Sequence, residues 1–209
     1  MKKKFNISLS QKALLVILFI LLIDQTFKII IKTHMPLGAT KFVIGKWFLI
    51  RFIENPGMAF GIDIPGKLGK PALTLFRLIA VVLISIYLKS IIRKNAPLGF
   101  VICLSMILAG AIGNIIDSMF YGLIFSESSA LETAVMFPAG GGYAPFLHGR
   151  VVDMLYFPVI ENNLPDWLPI WGGRRFIFFR PIFNIADSAI SIGVISIFIF
   201  QRKYLKELR

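Results

Sequence analysis

The segment FRPIFNIADSAISIGVISIFIF, residues 179–200, ends in a run apolar enough to enter a bilayer, yet Asn184 and Asp187 stand at its mouth. In a helix these two lie about one turn apart on one face. The plain structural reading is capping, because Asn or Asp near a helix N-terminus accepts bonds from unpaired backbone N–H groups and suits the dipole. That reading covers Asn184. It fits Asp187 less well, since SAISIGVISIFIF already carries the chain onward into lipid. Ionisable groups inside a membrane are costly, and most face inward, are paired and have a function.

The whole chain has the same character. Its 209 residues read as one integral-membrane domain, 1–209, and a hydrophobic content of 56% with a mean hydropathy of +0.77 excludes an ordinary soluble domain. Segments near 12–33, 71–92, 97–121 and 182–202 approach the roughly 20 residues that cross a bilayer. The expected fold class is an all-α polytopic membrane protein, a bundle of four transmembrane helices. MKKKFNISLSQKALLVILFILLIDQTFKIIIK, at the start, imitates a leader peptide, but no small-x-small site follows and apolar character resumes at Ile29. It reads as a retained first helix. The link RKNAPL makes the second and third helices antiparallel neighbours, with Pro97 suited to a first turn.

The net charge of +12 does not form a nucleic-acid stripe; the basic residues cluster beside apolar runs. Lys2, Lys3, Lys4, Lys12, Lys89, Arg93, Lys94, Arg202, Lys203, Lys206 and Arg209 fall on one side of a four-span bundle. The positive-inside rule makes that side, and both termini, cytoplasmic. Lys41, Lys46, Arg51, Arg174 and Arg175 dilute the bias on the other side. Two outer loops result, 34–70 and 122–181. The first, with KFVIGKWFLIRFIENPGMAFGID, reads as short strands; in the long second, PAGGGYAP is a turn-rich break and RRFIFFRPIF a strand candidate. Trp167 and Trp171 suit a membrane–water interface.

Few ionisable groups fall inside the apolar segments. Asp24 and Lys28, spaced i, i+4, can form a direct ion pair, and Lys28 reads as snorkelling near the outer interface. Asn114 and Asp117 lie i, i+3 beside Gly110 and Gly113, which permit close helix approach; a polar knot between helices would look the same. Asp153 follows two β-branched residues in HGRVVDMLYF, where a plain loop acid is the alternative; His148 and Arg150 suit the loop or the interface. Cys103 is alone in an apolar stretch and reads as a small buried hydrophobe, with neither His34 nor His148 placed to activate it.

Two carboxylates can hydrolyse a peptide without metal, Ser or Cys. One takes a proton from water; the other, protonated, donates to the carbonyl oxygen. Two close acids in a poorly solvated site cannot both ionise easily and share one proton. No His cluster favours a metal, so no cofactor is expected.

Five motifs in order then resemble the bacterial lipoprotein signal peptidases, the signal peptidase II family. IDQTFK (23–28) resembles its first-helix Asp-x-x-x-Lys element and ENPGMAFG (54–61) its Asn-x-Gly-x-Ala-Phe segment. GNIID (113–117) resembles its third-helix motif, and HGRVVDM (148–154) and FNIADSAISIG (183–193) resemble the elements that supply its two catalytic Asp residues. The resemblance implies catalysis by Asp153 and Asp187, with Asp24, Lys28, Asn55, Gly57, Asn114, Asp117, Asn184 and Ala186 shaping or supporting the site. It implies a small extracytoplasmic β-sheet in 34–70 that cradles substrate, with Met58 and Phe60 either lining it or simply packing. It further implies lipidated prolipoprotein substrates delivered through membrane lipids, at the outer leaflet of the bacterial cytoplasmic (inner) membrane. Two departures stand out. The family ordinarily has Arg directly after the third-helix Asp, where this chain has Ser118; Arg150 is the residue considered as a replacement charge. The chain also carries extra residues, 123–147, before HGRVVD, a lid or partner contact by expectation.

Two rival readings of the same residues stay open at this level: a transporter or ion pathway, and a membrane subunit whose polar residues are helix glue. The oligomeric state is not legible.

Overall fold

The computed structural model describes residues 7–56, 69–163, 165–167, 169, 173–178 and 180–207. Gly57, Met58, Phe60 and Trp171 lie outside the described residues, as do Lys2, Lys3, Lys4 and Arg209.

Helix α1 runs Leu9–His34, starting before the expected 12 because Ser8 and Gln11 form a reciprocal capping box. It stops at Met35, whose extended backbone is what the following Pro36 demands. A hairpin follows, β1 (Thr40–Ile44) and β2 (Phe48–Asn55). Helix α2 (Gly69–Arg93) turns through Asn95, at φ 53°, into α3 (Leu98–Ile116), with Pro97 at the N-cap, one residue ahead of the expected first turn. The third helix does not end there. It widens into a π turn over Asp117–Tyr121 and closes with a short α4, Gly122–Ile124.

Among the described residues, three helices are long and apolar enough to cross a membrane: Leu9–His34, Thr74–Arg93 and Leu98–Ile124. The third is the hub. Its apolar window is 61% buried, against 17% for the first and 11% for the second, so α1 and α2 give most of their surface to the surroundings. The small residues expected to allow contact do so within the chain. A methyl group on Gly110 would sit 2.2 Å from the Ala186 carbonyl oxygen, and one on Gly113 would sit 2.7 Å from Asp24 Oδ2. These positions let the last apolar helix and α1 lie against α3.

That last helix, α5, spans Ile185–Phe200, which corrects the expected 182–202. Ile182–Phe183 form strand β6 instead, because Pro181 and the β-branched and aromatic pair favour extended chain. At 16 residues α5 is about 24 Å long, under the roughly 30 Å of hydrocarbon. A separate α6 (Arg202–Glu207) follows, and Tyr204 packs on Phe100 with ring centroids 4.8 Å apart. The far end of α5 therefore lies beside the start of α3.

Strands β3 (Val151–Tyr156) and β6 join the hairpin in an antiparallel sheet ordered β1-β2-β3-β6. Register places Ile53 opposite Asp153 and Asn55 opposite Val151. Strands β4 (Ile160–Asn163) and β5 (Arg175–Phe178) form a separate ribbon, which accounts for the RFIF part of the strand candidate. The extra residues 123–147 are folded back on the bundle. Phe125 bridges Met136, Leu37 N–H donates to Ser129 O at 2.8 Å, and Ala134 N–H donates to Lys32 O at 3.2 Å. Phe125 and Ala134 share a buried core with Ile31, Phe52, Tyr121 and Met154. The insertion is thus a fixed cap on the end of α1, since its apolar residues complete a core.

Candidate active site

Two polar layers meet where α5 begins. The lower is ionic and fully buried. Lys28 Nζ lies 2.9 Å from Asp24 Oδ2 and 2.9 Å from Asp117 Oδ2, all three side chains being closed to solvent. Lys28 does not snorkel, because two carboxylates hold it inside. Gln25, overlooked in the sequence, donates to both Asp24 and Asp117 at 3.1 and 3.0 Å, and Tyr121 donates to Gln25 at 3.2 Å. The outer oxygens tie the layer to its surroundings. Asp24 Oδ1 accepts from Ala186 N–H at 2.9 Å, and Asp117 Oδ2 accepts from Val152 N–H at 3.2 Å. Helices α1, α3 and α5 and strand β3 are therefore fixed to one cation.

The upper layer is built from amides. Asn184 caps α5, accepting from Asp187 N–H at 2.9 Å, while Asp187 Oδ2 accepts from Asn184 N–H at 3.3 Å. Capping occupies only the Asn184 oxygen. Its Nδ2 donates to Asp153 Oδ1 at 2.8 Å and to Asn114 Oδ1 at 3.1 Å. Asn114 Nδ2 in turn donates to Asp187 Oδ1 at 2.8 Å, and its own oxygen accepts from Lys28 at 3.0 Å. Asn55 Nδ2 reaches Asp153 Oδ2 at 3.2 Å. Asp153 on β3 and Asp187 on α5, remote in sequence, thus share a frame of three asparagines.

Among the described residues neither carboxylate of this frame is ion-paired. Asp153 is 4% exposed, and burial, followed by the charge of Asp187, pushes its carboxyl up to about 7. Such a pair of acids, held by neutral donors and half open at Asp187, can hold one proton between them and a water to work on. Among the described residues no three His, Cys, Asp or Glu side chains gather as a metal site.

Arg150 is elsewhere. It pairs with Glu54 at 3.0 Å and with Glu127, and stacks on Tyr143 at 5.0 Å, so it does not replace a charge at Ser118. The residue that reaches Ser118 is Arg77 of α2, whose Nη1 lies 3.5 Å from Ser118 Oγ. One sequence signal marked it: a lone arginine within the apolar run ALTLFRLIAVVLISIY.

Comparison with known proteins identifies the family. The family model for signal peptidase (SPase) II matches residues 16–202. A lipoprotein signal peptidase of Porphyromonas gingivalis is 54% identical over 180 residues, covering 86% of this chain and 77% of that protein. One from Amoebophilus asiaticus is 35% identical over 193 residues, covering 91% and 77%. A bacterial membrane enzyme solved by the in meso method at 2.3 Å superposes with a TM-score of 0.59 at 29% identity, covering 94% of this chain and 91% of that one. With the match running from the first helix through the last, the chain is a membrane protease of the signal peptidase II family.

Proposed function

We propose that the chain is an aspartic endopeptidase that removes the signal peptide from diacylglyceryl-modified prolipoproteins, with Asp153 and Asp187 as its catalytic residues. The observation that carries this is the asparagine frame, which brings to one place two carboxylates that have no ion pair among the described residues. Asp187 accepts N–H bonds at a helix N-terminus and takes the proton of an attacking water. Asp153, kept protonated by burial and by its neighbour, donates to the carbonyl oxygen. The water oxygen bonds to the carbonyl carbon. The resulting gem-diol then collapses, the C–N bond breaks, and the departing amine takes a proton from the pair. Asn55, Asn114 and Asn184 orient the acids, and the Asp24–Lys28–Asp117 layer holds the elements that carry them.

In this reading α5 is a fourth span. It lies against α3 along its length and meets the start of α3 at Tyr204, so it reaches the same depth although it is short. The basic ends at Lys12, Lys89, Arg93, Lys94, Arg202 and Lys203 then lie in the cytoplasm with both termini. The site opens at the outer leaflet of the inner membrane. Exposed Phe42 and Trp47 on the sheet side suit a lipid interface, where a lipidated substrate arrives sideways.

The test uses purified full-length enzyme and a lipidated prolipoprotein peptide. Asp153→Asn and Asp187→Asn, separately, each lower cleavage by about 10²–10⁴-fold or more, with thermal unfolding and peptide binding retained. Cleavage by either variant at wild-type rate would remove the dyad. A chelator is expected to leave turnover unchanged.

A further inference from the structure

Arg77 is a charge in a helix that otherwise offers lipid-facing Leu75, Phe76, Leu78 and Ile79, all exposed. A cation in such a segment is expensive unless something inside answers it. Arg77 is half-buried and turns toward the bundle, reaching Ser118 Oγ at 3.5 Å, the outer limit of a hydrogen bond. The hydroxyl of Ser118 is already engaged, donating to Asn114 O at 3.0 Å. The acids whose charge acts on Arg77 come from three elements: Asp187 of α5, Asp153 of β3 and Asp117 of the π turn. Among the described residues none lies within ion-pair distance of it. The guanidinium therefore stands across from the two acids without binding either. Lys28, the other cation of the region, is held by Asp24 and Asp117.

We propose that Arg77 is a positioning residue of the active site, supplying from α2 the positive charge that the third-helix motif of this chain lacks at Ser118. The inference rests on Asp153 and Asp187 being the catalytic pair. A cation across from two acids favours their ionised forms, and it does so without a salt bridge that would block the water between them. Lys28 below and Asp24 and Asp117 beside it complete the charges that face the pair.

The experiment is kcat/KM against pH for the full-length enzyme with a lipidated prolipoprotein peptide. Wild type is compared with Arg77→Gln, Arg77→Lys and the double variant Arg77→Gln/Ser118→Arg, with Asp187→Asn as the inactive control. Loss of the cation makes both carboxyl groups harder to ionise. The whole bell of Arg77→Gln therefore moves to higher pH by about one unit, falling on the acid side by on the order of tenfold and holding longer on the alkaline side. Arg77→Lys keeps the wild-type optimum, and Ser118→Arg restores it in the double variant. A profile of Arg77→Gln that superimposes on wild type, or that drops without moving, overturns the inference. A displaced optimum in Arg77→Lys overturns it as well, and that variant serves if Arg77→Gln fails to fold. Cleavage by Asp187→Asn would instead bring down the dyad itself.

Discussion

Two buried polar clusters lie side by side in this protein, and they are satisfied in opposite ways. Under the insertion, Lys32 pairs with Glu54 and Ser128, Arg150 pairs with Glu54 and Glu127, and Tyr143 and Phe125 close over the Lys32 ammonium. Every charge there has an opposite charge in contact. At the mouth of α5, Asp153 and Asp187 are met by amides and by backbone N–H groups. Matched charges fix a structure, whereas two acids left facing each other keep a proton available for exchange. The first cluster holds the insertion and strand β2 in place; the second is the one proposed to react. Glu54 and Asn55 are adjacent in the chain, so the first cluster also anchors the strand from which Asn55 reaches Asp153.

The comparison breaks most visibly at Lys32. Lys32→Met leaves Glu54, 2% exposed, with Arg150 as its remaining charged partner among the described residues, so the loss approaches but stays below the about 3–5 kcal/mol of a fully broken buried pair. Thermal unfolding in detergent should show that loss, while turnover per folded molecule changes little and Lys32→Met/Glu54→Leu regains much of the stability. A loss of turnover at full stability would place Lys32 in the reactive cluster instead.

Asn184→Asp sharpens the contrast from the other side. Aspartate caps a helix as well as asparagine does, so the capping share of the stability should change by no more than about 1 kcal/mol. The Nδ2 donor to Asp153 and Asn114 is replaced by a third acid, and turnover should fall by on the order of a hundredfold. Equal losses in stability and turnover would show that Asn184 is only a cap.

The contrast also shows in the pH dependence of stability. Because burial and the Asp187 charge raise the Asp153 carboxyl to about 7, the folded protein keeps a proton there that an unfolded chain releases near pH 4, about the ordinary value. The stability this group contributes is complete below about pH 4 and is lost as pH rises through about 7. Subtracting the unfolding midpoint of Asp153→Asn from that of wild type across this range should give a falling curve. A flat difference would mean Asp153 carries an ordinary charge.

Much of this architecture could be read before any coordinates. The long apolar segments, the two strands of KFVIGKWFLIRFIEN and the paired Asn and Asp of the third and last helices follow from periodicity, composition and spacing. What could not be read depended on contacts between distant residues. Arg150 sits two residues before Val152 in sequence, and nothing local says that Glu54 and Glu127 claim it. Gln25 is a neutral residue between Asp24 and Thr26, and its role comes from the approach of α3, which brings Gly113 O and Asp117 to its amide. Lys28 has the spacing of a surface pair, and its burial comes from the second carboxylate that α3 brings. Ile182 and Phe183 are as apolar as the helix they precede; Pro181 and their own preference lean toward extended chain, and pairing with β3 completes the strand.

The π turn at Asp117–Tyr121 has a last consequence. A helix with one surplus residue changes phase, so side chains above and below it face directions that a regular helix could not combine. Before it Asn114, and at its first residue Asp117, look into the bundle; after it, Gly122 offers a flat berth on which Ala144 rests, and a Cβ there would stand 2.8 Å from the Ala144 carbonyl oxygen. Trimming one residue from 118–120 would swing that berth by about 100° around the axis. The insertion would then come unmoored while the acids beneath stayed where they are, so this wide turn is the swivel that joins an added cap to an otherwise ordinary peptidase frame.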